Sequence, residues 1–444
     1  MNLLLQDPFS VLKEYPEKLT HTLENPLHSE CIQFSPYGDY LAVGSSNGGV
    51  LVYDMDTYTP ICILGSIIGS HTRSIQSISW SPCGRYLLTS SRDWTVKVWD
   101  LKDSSKPFKE VSFNAPVWKC EWVNVETWLC VGTVFEETNG FLIDFQATVP
   151  IFYKIIDTKK HEDKDMKGDN SASKGFTLTL SVHPKYKEII ITGTSKGWIM
   201  IYKIQSANDI KLIHTLKIAN SNIKHLTISE SGDKLAINSS DRVIRQYSFK
   251  YLESETENNE GSIQLELVHK YQDVINKLQW NSIFFSNDSA EYLVASTHGS
   301  SAHELYIWET NSGTLVRVLE GSEEELMDID WNFYTMCIAS NGLESGDVHI
   351  WSIVVPPKWS ALAPDFEEVE DNVDYQEKED EFDQLDEYEQ QQELNQAEEV
   401  DIDLKTREQY DVRGNNLLMP RFIIPHDYER SLTSQSRIKV FPPL

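Results

Sequence analysis

The chain has 444 residues, of which 40% are hydrophobic, and a formal net charge of -29. That apolar content supports a sizeable core, while the negative field disfavours general affinity for nucleic acid or anionic membrane. Six cysteines, with no Cys-x-x-Cys pair and no His at zinc-ligand spacing from two of them, fit a reducing cytosol or nucleus and exclude a disulfide framework or zinc module.

Met1 to Phe9 hold one short apolar run broken by Asp7 and Pro8, without the basic start and long apolar stretch of a secretion signal. No later run approaches the ~18 apolar residues that span a bilayer. A soluble protein with no membrane partner is expected. Leu19-Thr20-His21-Thr22-Leu23 alternates as a strand. Phe34-Ser35-Pro36-Tyr37-Gly38-Asp39-Tyr40-Leu41 and Trp80-Ser81-Pro82-Cys83-Gly84-Arg85-Tyr86-Leu87 then repeat one pattern, 46 residues apart. Each continues as an apolar strand, a small-polar turn and an alternating strand, ending at Asp54 and Asp100. Looser copies run over 117–145, 177–204, 223–249, 275–309 and 326–353, with anchors Trp122, Val182, Ile228, Trp280 and Trp331. Polar inserts at 157–174 and 253–262 lengthen two of the gaps.

A period of ~40–45 residues with four short strands per unit is the pattern of a propeller. Alternation, as in Val96-Lys97-Val98-Trp99, implies one buried face per strand. One four-stranded sheet cannot bury both its faces, whereas seven stacked radially can, and closing the ring protects the edges. The expected fold is all-β: a seven-bladed WD-repeat β-propeller over residues 31–355, with an extended acidic C-terminal tail. The arm at residues 1–30 is expected to supply the outer strand of the last blade and close the ring.

The second unit carries the sharpest detail. His71, Thr89, Asp93 and Trp99 stand at the spacings of the buried hydrogen-bonded set of WD repeats, and Trp99-Asp100 is the naming dipeptide. His71 and Asp93 could be read as a catalytic dyad, but the repeat context favours a staple, because a buried Asp needs such partners. The other blades lack the full set.

Further along, Gly193-Thr194-Ser195-Lys196-Gly197 matches a nucleophile elbow, but the alternating Trp198-Ile199-Met200-Ile201-Tyr202 follows where a helix is needed. A blade turn is expected there. His298-Gly299-Ser300-Ser301-Ala302-His303-Glu304 is likewise expected to be a loop. No phosphate loop, His-Glu-x-x-His or dinucleotide fingerprint occurs. No enzyme activity, cofactor, metal or small-molecule substrate is therefore expected. Arg73, Arg85, Arg92, Lys97, Arg242 and Arg245 are candidates for phosphate or histone contacts, or are ordinary solvated surface.

After Ile353 the character changes. Pro356 and Pro357 end the last strand, since proline cannot donate to a ladder. Residues 365–403 hold nineteen acidic residues against one basic residue, Lys378, a composition that cannot pack a core. Apolar side chains punctuate the span, among them Trp359, Phe366, Val373, Tyr375, Phe382, Val400 and Ile402. Acidic residues with interleaved anchors suit a segment, 356–403, that docks on basic, grooved partners; a merely solubilising tail is the plainer reading. Residues 404–444 regain balanced charge, and their role is not derivable.

At this junction Trp359-Ser360-Ala361-Leu362-Ala363-Pro364-Asp365-Phe366-Glu367-Glu368, then Asn372-Val373-Asp374-Tyr375, then Glu379-Asp380-Glu381-Phe382-Asp383 resemble the retinoblastoma-binding-protein-five family in its fungal form. Ser91-Arg92-Asp93-Trp94 and Ser221-Asn222-Ile223-Lys224-His225-Leu226 support the match, which spans nearly the whole chain. The resemblance implies a non-catalytic WD-repeat core subunit of COMPASS, a nuclear complex that methylates lysine four of the histone-three tail. It implies that Trp359, Phe366, Val373 and Tyr375 activate the SET-domain methyltransferase subunit. It also implies that Asp371, Asp374, Glu377, Glu379, Asp380, Glu381, Phe382 and Asp383 form an acidic box for a SPRY-domain subunit. Glu399, Val400, Asp401 and Ile402 would dock on a second WD-repeat propeller subunit, while the propeller helps seat the complex on the nucleosome. The alternatives are a WD-repeat adaptor of another complex such as a ubiquitin ligase, an acidic-tailed histone chaperone, and an enzyme with converging ionisable residues in the propeller channel.

Overall fold

Short runs rich in Val, Ile and Tyr favour strands, and the turns between them carry residues that let the chain reverse. Gly38 and Gly84, in the repeated Ser-Pro-x-Gly motif, adopt φ of 74° and 72°, a region that side chains with a Cβ avoid. The computed structural model describes residues 15–353, except 66–69, 104, 126, 148–149, 157–173, 207–208, 253–261, 274–276, 287–288, 300–303 and 333, together with Ile424. Among the described residues, 28 strands form seven four-stranded antiparallel sheets.

Six sheets are built from consecutive strands: blade one over 29–64, two over 75–112, three over 117–154, four over 177–217, five over 223–271 and six over 279–319. The seventh takes Leu326–Asn332, Cys337–Gly342 and Val348–Ser352, and its outer strand is Lys18–Leu23, from the opposite end of the propeller sequence. Leu19 pairs with Trp351 and Leu23 with Val348, so the alternating segment Leu19–Leu23 stands where its pattern implied. Thr20 Oγ1 donates to Ile350 O at 3.1 Å and lies 2.9 Å from the Ser352 hydroxyl.

Closure is also legible in the core. Among the described residues, buried apolar side chains fall into seven clusters, each shared by two adjacent blades. At the seam, Leu23, Val348 and Ile350 of blade seven pack with Ile32, Phe34, Leu41 and Val43 of blade one. An open stack would lack that cluster.

Burial corrects one expectation. In blade two the middle strands Tyr86–Ser91 and Thr95–Asp100 are buried on both faces, and only the outer strand Lys109–Ser112 keeps a wet one. Each sheet is sandwiched between neighbours, so the polar positions of middle strands must be satisfied internally. Ser90 Oγ lies 2.7 Å from Ser77 Oγ, and Ser91 Oγ donates to Arg73 O at 3.0 Å.

Register identifies the repeat anchors. Phe34 faces Leu41, Trp80 faces Leu87, Trp122 faces Cys130, Val182 faces Ile190, Ile228 faces Leu235 and Trp331 faces Ile338. In blade six that place belongs to Phe285, opposite Leu293, whereas Trp280 sits at the other end of the inner strand, opposite Thr297. The expectation for Trp280 was therefore displaced along its strand. Its indole packs instead against Tyr306 and Trp308, at ring-centroid distances of 5.3 and 5.2 Å.

Inner strands carry an edge without a partner strand, which leaves amides to be satisfied by other means. Side chains of the neighbouring blade supply the acceptors. Gln33 Oε1 takes the Trp80 amide at 3.1 Å, Ser77 Oγ the Cys120 amide at 2.9 Å, and Asp328 Oδ2 the Ile32 amide at 3.2 Å. Asp330 Oδ2 takes the Phe34 amide at 2.5 Å. The seam between blades seven and one thus uses the same device as the two boundaries of blade two.

Candidate functional site

His71 sits in the loop before the inner strand of blade two, Thr89 on the second strand, Asp93 in the following turn and Trp99 on the third. The Trp99 indole N–H donates to Thr89 Oγ1 at 3.0 Å. Thr89 Oγ1 lies 2.8 Å from His71 Nε2, and His71 Nδ1 lies 3.0 Å from Asp93 Oδ2. One direction satisfies every group: indole to hydroxyl, hydroxyl to Nε2, and Nδ1–H to carboxylate. Asp93 also accepts the Thr72 amide at 3.0 Å and the Thr95 hydroxyl at 2.6 Å. Burial pushes the Asp93 carboxyl up, but hydrogen bonds from His71, Thr95 and Thr72 outweigh it and hold the group well below the usual range. A catalytic dyad needs substrate access, yet His71 is 2% exposed and Thr89 and Trp99 are 0% exposed. The geometry is that of a staple joining loop, strand and turn.

Blade seven holds a variant that its sequence did not advertise. The Trp351 indole donates to Ser340 Oγ at 2.9 Å, reproducing the Trp99–Thr89 bond. Glu324 and His349 replace the other pair, with His349 Nε2 at 3.1 Å from Glu324 Oε1. Glu324 Oε2 further accepts the amides of Glu344 and Ser345, both at 2.8 Å.

The staple gives the fold a pH dependence with a defined sign. Burial lowers the His71 pKa from 6.5 and outweighs the opposing pull of Asp93. As pH falls below 6.5 the unfolded chain takes up a proton that folded His71 resists, so His71's share of stability is lost on acidification. Buried Asp330, whose carboxyl is raised by burial, acts in the opposite sense, so the readout is a difference. Urea denaturation of the wild type and His71→Gln is expected to show a stability gap that narrows below pH 6.5, by at most about 1.4 kcal/mol per pH unit. A gap that stays constant from pH 7.5 to 5 would exclude a lowered His71 pKa.

The other sequence candidates separate cleanly. Ser195 lies in the turn between Ile189–Thr194 and Trp198–Ser206, and its Oγ accepts the Phe176 amide at 3.0 Å. His298 ends its strand with Nδ1 at 2.6 Å from Glu325 Oε1, while residues 300–303 lie outside the described residues. Of the basic candidates, Arg85 is held by Asp100 at 2.6 Å, Arg245 by Asp241 at 2.6 Å, and Lys97 is buried with its Nζ on Ser70 O at 3.2 Å. Those three serve the blades themselves. Arg73, Arg92 and Arg242 are exposed. The tail positions Trp359 to Tyr375, Asp371 to Asp383 and Glu399 to Ile402 lie outside the described residues.

Comparison with known proteins extends these observations. The WD domain, G-beta repeat family matches residues 17–54 and 63–100. The Saccharomyces cerevisiae protein named COMPASS component SWD1 is 61% identical over 98% of this chain and 100% of its own length. The chain belongs to the Swd1/retinoblastoma-binding protein 5 family. The Drosophila melanogaster retinoblastoma-binding protein 5 homolog is 31% identical over 92% of this chain and 78% of its own length. The crystal structure of the Myceliophteria thermophila Cps50 (Swd1) beta-propeller domain superposes with a TM-score of 0.66 and 35% identity, covering 76% of this chain and 100% of that one.

The matched repeats of this Swd1-family chain are offset from its blades. The first begins at the outer strand of blade seven, Lys18–Leu23, and the second contains the whole staple of blade two. Each sequence repeat starts one strand early, which is what forces the ring to close through its own N-terminal strand.

Sequence reasoning missed a group of ionisable residues on inner strands. Lys119 of blade three acts electrostatically on Glu121, on His225 of blade five and on Asp328 of blade seven. Burial raises Glu121 and lowers His225 to about 3, with Lys119 adding to the latter. Glu121 Oε2 and His225 Nδ1 have no hydrogen-bond partner among the described residues. Such groups are scattered along the sequence and carry no motif; only ring closure assembles them. A neutral histidine and a carboxyl raised by burial beside one lysine present no activated nucleophile.

Proposed function

We propose that this chain is the non-catalytic WD-repeat scaffold of a COMPASS-type histone methyltransferase complex, working in the nucleus on lysine four of the histone-three tail. The observation that carries this reading is the likeness to a COMPASS component along that protein's entire length, tail included. The physical picture agrees. His71 and Asp93 of blade two and Glu324 and His349 of blade seven are committed to staples, which leaves a rigid platform, and the acidic segment 356–403 follows that platform in sequence with apolar anchors along it.

In this reading Trp359, Phe366, Val373 and Tyr375 order the mobile lobe of the SET-domain subunit and reduce the entropy it loses on activation. The acidic box from Asp371 to Asp383 holds the SPRY-domain subunit, and Glu399, Val400, Asp401 and Ile402 hold the second propeller. Of the candidate cations, Arg73, Arg92 and Arg242 stay exposed and available to the nucleosome. Phe366→Ala or Val373→Ala in a reconstituted complex is expected to lower methylation about tenfold, near 1.4 kcal/mol in barrier, with the propeller melting unchanged. Full activity would remove the activating role. Replacing Val400 and Asp401 by alanine is expected to release the second propeller in a pull-down, and retained capture would count against that contact. Docking through the acidic box is expected to weaken with salt.

A further inference from the structure

Ile424 follows the acidic segment in sequence yet lies inside the propeller. Its side chain is 3% exposed and belongs to the apolar cluster shared by blades one and two, with Val52, Leu64, Ile75, Trp99 and Leu101. Its amide donates to Tyr40 Oη at 3.2 Å. Tyr40 opens the second strand of blade one and packs half-buried against the same cluster. Burial raises the Tyr40 hydroxyl, and the Ile424 amide is the counterweight. Ile424 and the propeller fall within one compact unit.

The local sequence suits such a ligand. Phe422, Ile423 and Ile424 form an apolar triplet between Pro420 and Pro425. A following proline pushes the preceding residue toward extended backbone, which leaves the Ile424 N–H free of any helical partner and able to point at an acceptor.

We propose that the apolar boundary between blades one and two is a docking site for the chain's own segment 421–425, a second attachment to the propeller beyond the acidic segment in sequence. The consequence for partners rests on the scaffold reading above: subunits held by segment 356–403 are kept close to the platform by two anchors in place of one.

The test uses the full chain alone, without any complex partner, so its outcome is independent of that reading. The probe is a fluorescein-labelled synthetic peptide of residues 418–430, followed by anisotropy. In the wild type the tethered segment competes at an effective concentration up to the order of 1 mM, so micromolar peptide is expected not to bind. In Ile424→Asp the site is vacated and the peptide is expected to bind. Adding Tyr40→Phe to that variant removes the acceptor and is expected to weaken binding by roughly three- to tenfold. Ile424→Ala serves as a second vacated form, and hydrogen exchange of residues 40–64 is expected to rise in both variants. Peptide binding to neither variant, or equally to variant and wild type, overturns the proposal. So does a wild-type dimer that Ile424→Asp dissociates, since the occupant would then come from a second copy.

Discussion

Trp99→Ala is expected to destabilise the propeller by about 3–5 kcal/mol, the range for removing a large buried aromatic side chain. Two independent losses act at one position. The indole fills the apolar interface between blades one and two at 0% exposure, and its N–H is the first donor in the chain that runs through Thr89 and His71 to Asp93. Thr89→Val separates them: the indole packing stays, but Trp99 Nε1 and His71 Nε2 both lose their partner, for about 1–3 kcal/mol. Urea denaturation of the two single variants and the double variant measures the coupling. Groups in one network do not add, so the double variant is expected to be less destabilised than the two losses together. Simple additivity would show that the bonds do not act as a unit.

Removing residues 1–24 is expected to have an effect at least as large, because it opens the ring. The deletion strips the outer strand from Val348–Ser352, takes Leu23 out of the seam cluster and removes the Glu17–Arg317 ion pair at 3.6 Å. An apolar strand edge is then exposed, which invites association with other chains. Expected results are loss of a single cooperative thermal transition, concentration-dependent aggregation and fast hydrogen exchange concentrated in 326–352. The matching melting curve of an intact ring would mean that blade seven is complete without its N-terminal strand.

How far the sequence discloses this architecture depends on the range of the interaction concerned. The staple of blade two is legible because its four residues lie within one repeat, at spacings set by strand and turn lengths. The equivalent in blade seven is not, because Glu324, Ser340 and His349 stand in for the expected types and the dipeptide reads Trp351-Ser352. Trp280 misled by residue type: a tryptophan at either end of an inner strand reads alike until register shows Phe285 in the anchor position. Lys97 looked solvated from alternation alone, but a middle strand has no solvated face. The inner-strand group around Lys119 and the seat of Ile424 depend on contacts between distant parts of the chain, the latter 384 residues from its hydrogen-bond partner. No local pattern carries that information.

In the proposed scaffold, a stapled, closed ring is the platform and the acidic segment 356–403 is what grips other subunits. The most direct measurement is the methyl-transfer rate of a reconstituted SET-domain assembly on a histone-three peptide, with the full chain and with a chain lacking 356–403. The rate is predicted to fall to that of the assembly without this protein while the melting temperature of the propeller stays the same. A full rate with the shortened chain would contradict the account.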